Sequence, residues 1–127
     1  MKSYRLSFAT IIIHKKKLAE VVVDEGVELD EIMVAEYHDF LLSNLDTPIL
    51  LLINRKYSYA YTFKAQLAIG RLKEIKAVAV VVTNASSLMS TKTLLSLNEE
   101  VNSKIKIFQD RDEALSWLGA LQYSQTL

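Results

Sequence analysis

An arginine set just beyond an apolar run, Arg55 after Ile49 to Ile53, is flanked by Asn54, Tyr57 and Ser58. A second polar stretch, Thr83, Asn84, Ser86 and Ser87, follows another apolar run, Ala77 to Val82. Parallel pairing of the two runs would bring these segments to one sheet edge, where two helices begin. Helix starts leave free N–H groups and a positive dipole end, so Arg55 among hydroxyls could hold a phosphate, a carboxylate or a phosphopeptide. The plainer account of the same residues is capping and turn closure. Ser58 is a candidate phosphorylation site: a dianion there would meet the helix dipole and the charges of Arg55 or Lys56 and change the surface a partner sees. Tyr57, Tyr59 and Tyr61 alternate toward Phe63, either as an exposed recognition surface or as rings laid over the sheet edge.

Other chemistry finds little footing. His14 and His38 have no metal-ligand spacing to one another or to Cys, and no metal or cofactor is expected. The pairs Asp24/Glu25, Asp30/Glu31 and Asp112/Glu113 suit turns and helix starts rather than general acid–base work. Gly26, Gly70 and Gly119 are scattered, so phosphate-loop and dinucleotide fingerprints are missing, and no nucleophile elbow surrounds Ser58.

The elements that must position these residues follow from periodicity. Tyr4, Leu6 and Phe8 alternate with polar residues, and Thr10 to Ile13 extends the same strand. His14 to Lys17 forms the basic tip of a hairpin that returns through Leu18 to Val23. From Asp30, a plausible N-cap, to Leu45 the stripe Leu29, Ile32, Met33, Tyr37, Phe40, Leu41 and Leu45 predicts an amphipathic helix. Ile49 to Ile53 reads as a strand buried on both faces. Thr62 to Leu72 predicts a second helix facing inward with Phe63, Leu67, Ala68 and Leu72, and Ala77 to Val82 a parallel strand. A third helix from about Ser87 to Glu100 turns Leu88, Leu94, Leu95 and Val101 inward. The strand Ile105 to Phe108 follows, and Asp110 with Glu113 forms a capping box for a last helix burying Ala114, Leu115, Leu118 and Leu121. The order is ββαβαβαβα.

The totals fit one domain over residues 1–127. Half the residues are hydrophobic, with one Pro and no Cys. Fifteen Lys and Arg balance fifteen Asp and Glu, so no net field draws the chain to nucleic acid. Absent Cys suits a reducing compartment, and the cytoplasm is expected. The apolar runs are too short to span a bilayer, and the first residues lack the small-residue cleavage site of a signal peptide.

The hairpin between Phe8 and Val27, the phrase Ile53-Asn54-Arg55-Lys56-Tyr57-Ser58-Tyr59 after the central strand, and the ending from Ile107-Phe108-Gln109-Asp110 to Trp117-Leu118 resemble the small bacterial STAS/SEC14-like, or SpoIIAA-like, proteins. The resemblance covers nearly the whole chain and implies an α/β sandwich: a mixed sheet of about five strands covered by about four helices. In anti-sigma-factor antagonists of this kind, a Ser at the start of the helix after the central strand is phosphorylated and switches partner binding. Ser58 falls in the comparable loop, with Lys56-Tyr57-Ser58-Tyr59 in place of the usual Asp-Ser-Ser-Gly-like sequence. The expected function is therefore a non-catalytic regulatory or protein-interaction domain with a protein partner. A different class of answer is a binder or sensor of a small anionic or amphipathic ligand at the same edge; the resemblance to SEC14-like relatives for its part implies an apolar ligand, and a self-associating helix face would make a homodimer.

Overall fold

A computed structural model describes residues 1–97 and 103–124. Six strands form the main sheet: β1 (Lys2–Arg5), β2 (Ala9–Lys15), β3 (Leu18–Val23), β5 (Ile49–Arg55), β7 (Ile75–Val82) and β8 (Ile105–Phe108), side by side in that order. β1 pairs with β2 and β2 with β3 antiparallel, whereas β3, β5, β7 and β8 pair in parallel. Two short strands, β4 (Glu28–Leu29) and β6 (Ala60–Tyr61), pair in parallel apart from the sheet. The helices are α1 (Glu31–Asn44), α2 (Phe63–Ala68), α3 (Ala85–Leu97) and α4 (Arg111–Ser124). This is the expected mixed α/β architecture, with a sixth strand in place of about five.

The sixth strand comes from the N-terminus. Tyr4 to Ile13, read as one extended strand, folds back at Leu6 to Phe8, where the Leu6 N–H donates to the Ala9 carbonyl at 2.8 Å and Lys2 lies opposite Ile13. Alternation of apolar and polar residues runs from Tyr4 to Phe8, into a reversal that contains no Gly, Pro, Asn or Asp, so the turn leaves little mark in the pattern.

Side-chain alternation divides the core into two layers. On one face Ile11, Ala19, Val21, Ile49, Leu51 and Ile75 meet Val34, Tyr37 and Leu41 of α1 and Ala65 of α2. On the other, Leu50, Leu52, Ala77, Ala79 and Val81 meet Ala114 and Leu118 of α4. The central strands β5 and β7 are thus apolar on both faces, which is why they read as continuous runs.

The helices hold their expected places with shifted stripes. In α1, capped as expected by Asp30 through the Met33 N–H at 2.8 Å, Ile32 is 74% exposed and Val34 takes the buried position. In α2, capped by Thr62, Phe63 is exposed and Ala65 is the buried residue; the helix ends at Ala68 rather than Leu72. In α3 the inward line is Ser87, Thr91 and Leu94, with Leu88 and Leu95 half-buried. Glu100 and Val101, expected to complete that helix, lie outside the described residues. Asp110 caps α4 as expected, accepting from the N–H groups of Asp112 at 2.8 Å and Glu113 at 3.4 Å.

Candidate functional site

β5 delivers Asn54 and Arg55 to the carboxyl edge of the sheet, but a strand turns adjacent side chains to opposite faces. The two residues read as one cluster are therefore separated by the sheet. Asn54 faces the α4 side, where its amide donates to Glu20 Oε2 at 3.0 Å. Arg55 faces the α3 side and is only 2% exposed.

The Arg55 guanidinium donates to Thr91 Oγ1 at 3.0 Å, Ser90 Oγ at 3.3 Å and the Tyr59 carbonyl at 3.1 Å. It stacks 4.3 Å from the ring centre of Tyr59 and 5.7 Å from that of Tyr61. Its Nε has no acceptor, and no carboxylate lies within ion-pair reach among the described residues. Ser90 and Thr91, one turn inside α3, are the hydroxyls that meet it. Asn84 instead caps α3, accepting from the Ser87 N–H at 2.8 Å, and Ser87 is buried with its hydroxyl on the Asn84 carbonyl. Thr83, Asn84 and Ser86 are exposed; Thr83 and Asn84 line an open crevice with Val82, Ala85, Leu88 and Gln109.

The loop from Lys56 to Tyr59 is fixed by its backbone. The Ser58 N–H donates to Glu25 Oε2 at 2.7 Å, and the Ser58 carbonyl accepts from the Gly26 N–H at 2.7 Å. Gly26 has φ 77°, a left-handed conformation that glycine adopts without penalty. Ser58 and Tyr57 are exposed, the latter with Lys56 Nζ 5.1 Å from its ring centre. Helix α2 begins five positions after Ser58, within one residue of the Thr62 start expected from the sequence, so Ser58 lies in the loop ahead of the helix and outside its first turn. Tyr59 is buried and Tyr61 half-buried, their hydroxyls 3.4 Å apart. Burial, with Tyr61 nearby, pushes the Tyr59 phenol well above its ordinary pKa.

A second polar centre, unforeseen from the residues, lies on the α4 side. Glu20, 2% exposed in the middle of β3, binds Arg111 through Nε at 3.0 Å and through a terminal guanidinium nitrogen at 2.5 Å. His14 Nε2 lies 2.9 Å from its other flank, and Asn54 completes the shell. Burial alone would raise the Glu20 pKa, but the hydrogen bonds from Arg111, Asn54 and His14 and the Arg111 charge outweigh it and hold the carboxyl at about 2. The available signal was a lone glutamate inside the apolar run Leu18 to Val23. The cluster pins β2, β3, β5 and α4 together. Among the described residues no group of three or more His, Cys, Asp or Glu is arranged to hold a metal ion.

Residues 12–122 match a family model described as Domain of unknown function (DUF7793). The chain belongs to this family. No curated protein sequence matches the chain. In structure, the DUF7793 domain is similar to an uncharacterised DUF3478-family protein with a SpoIIAA-like fold from Shewanella loihica PV-4. The TM-score is 0.58 at 19% identity, covering 93% of this chain and 99% of that one. It is also similar to the Bacillus cell fate determinant SpoIIAA in its phosphorylated form, with a TM-score of 0.52 at 13% identity over 87% of this chain and 98% of that one. The DUF7793 domain thus has the SpoIIAA-like fold expected from the sequence. Among its described residues no helix is long and apolar enough to cross a membrane.

Proposed function

We propose that this domain is a non-catalytic regulatory module that binds a protein partner through the carboxyl edge of its sheet. The observation that carries the reading is an exposed apolar set on the segments beyond β5 and β7. Tyr57 in the loop is 42% exposed, Phe63 at the start of α2 65%, and Met89 in the first turns of α3 69%. Large apolar side chains left in water beside a backbone held by Glu25 and Gly26 suit a preorganised recognition surface. The fold shared with a cell fate determinant solved in phosphorylated form supports the same reading.

Ser58 is the switch in this proposal, and Glu25 sets its sign. A phosphoryl group on Ser58 would bring a dianion beside the Glu25 carboxylate that holds the Ser58 N–H, so repulsion would release the loop instead of a helix dipole anchoring it. The test is a photo-crosslinking amino acid placed at Tyr57 or Phe63, and at Lys15 on the opposite hairpin tip as control, in the cells that make the protein. One defined partner should be captured from the two edge positions, and Ser58→Glu should reduce its yield severalfold. Identical adducts at all three positions, or none from the edge, would remove the proposal.

A further inference from the structure

Beneath the recognition edge lies a partly open cavity of about 70 Å³ between the sheet and the helices on its α1–α3 face. Its wall is mostly apolar, with Val21, Leu51, Ile53, Val80 and Leu94 contributing, except where Tyr37, Tyr59, Tyr61, Thr91 and Lys104 meet it; the Lys104 ammonium donates to the Leu72 carbonyl at 3.4 Å. Three of those five are the groups that enclose Arg55: Tyr59 and Tyr61 lie against the guanidinium, and Thr91 accepts from it. One pole of an apolar cavity is therefore backed by a permanently charged, buried cation without an anion among the described residues.

A buried charge held only by neutral dipoles and ring faces is poorly compensated, and Arg55 Nε lacks even a neutral acceptor. The phenols are under-used as well. At 3.4 Å the Tyr59–Tyr61 contact is well beyond the ~2.7 Å of a good O–H···O bond, so these hydroxyls retain donor capacity. The missing partner is an anion that accepts from phenols, and the remaining wall asks for an aliphatic body. The geometry points to a binding site for a short aliphatic monocarboxylate, its carboxylate at Tyr59 and Tyr61 within the field of Arg55 and its tail along Val80 and Leu94. Size limits the tail: the cavity is about half the ~150 Å³ that admits the six carbons of benzene, which suits an unbranched tail of about three carbons. This ligand site is separate from the proposed partner surface, and either can fail without the other.

The experiment is an amide-resolved NMR titration of the full chain with butanoate, and in parallel with butan-1-ol, which has the same tail and no charge. The acid should shift the Tyr59, Tyr61, Thr91 and Leu94 signals saturably, with a Kd on the order of a millimolar. The alcohol should bind about tenfold more weakly, the discrimination given by a hydrogen bond to a charged group. Tyr61→Phe should cost the acid about tenfold and leave the alcohol unchanged. Arg55→Met, checked for a native-like spectrum, should abolish the preference for the acid and serves if Tyr61→Phe does not fold. Equal binding of acid and alcohol, shifts confined to other residues, or no saturable shift in the folded protein would overturn the inference.

Discussion

Two residues of opposite charge, Arg55 and Glu20, are equally buried and differently treated. Glu20 receives three donor side chains, one of them a guanidinium, whereas Arg55 receives hydroxyls, a carbonyl and two aromatic faces. The Glu20 cluster has a definite pH signature. Its carboxyl titrates near 2 in the folded chain and near the ordinary 4.5 when unfolded, so on acidification the unfolded state takes up the proton first. The stabilisation is complete above about pH 4.5 and is lost as pH falls toward about 2. Glu20→Gln should lower stability by about 2 kcal/mol at pH 6, since Arg111 loses its ionic partner, and the gap to wild type should close across that window. Urea unfolding at pH 6, 4 and 2.5 measures it; a constant gap would show that Glu20 contributes packing and no charge. Arg55 and Ser58 were visible in the sequence as residues of interest, but the direction each faces was not. That Arg55 would turn inward and Asn54 to the other side depends on where the strand's alternation begins relative to the core, and an apolar run buried on both faces conceals its own phase.

Among the elements, β5, β7 and α4 were the most legible, because continuous apolar character and the Asp110 cap each have one physical reading. Least legible were β4 and β6, two residues each, which exist only because they pair with one another across thirty intervening positions. No local propensity encodes such a strand. The helices were found, but α2 and α3 expose Phe63 and Met89 and bury Ala65 and Thr91, because small and hydroxyl residues are needed where the helices approach Arg55 and the sheet. The start of α3 separates capping from recognition. Asn84→Ala removes the acceptor of the Ser87 N–H and should cost about 1 kcal/mol, read as a lower urea midpoint with an unchanged slope. A loss well below that would free Asn84 from its structural duty and strengthen its claim as a binding residue.

At the scale of the whole molecule the two faces are unequal: among the described residues, α1, α2 and α3 share one side of the sheet, while α4 alone covers β5 and β7 on the other. A truncation in the single helix has no neighbouring helix to compensate for it. Leu118→Ala, at a fully buried position against Leu50, Leu52 and Ala79, should cost about 3–4 kcal/mol by chemical denaturation. A cost below about 1 kcal/mol would mean that this face collapses around the gap. The same asymmetry has a bearing on synthesis. The bond from Arg111 to Glu20 joins positions 91 residues apart, and the chain emerges from the ribosome N-terminus first. Until Arg111 is available, β3 carries a carboxylate destined for the interior without its guanidinium, beside strands whose second apolar face is still bare. The nascent sheet therefore stays partly wet and open on that side, and the docking of the last helix expels the water, neutralises the charge and closes the fold in one late event.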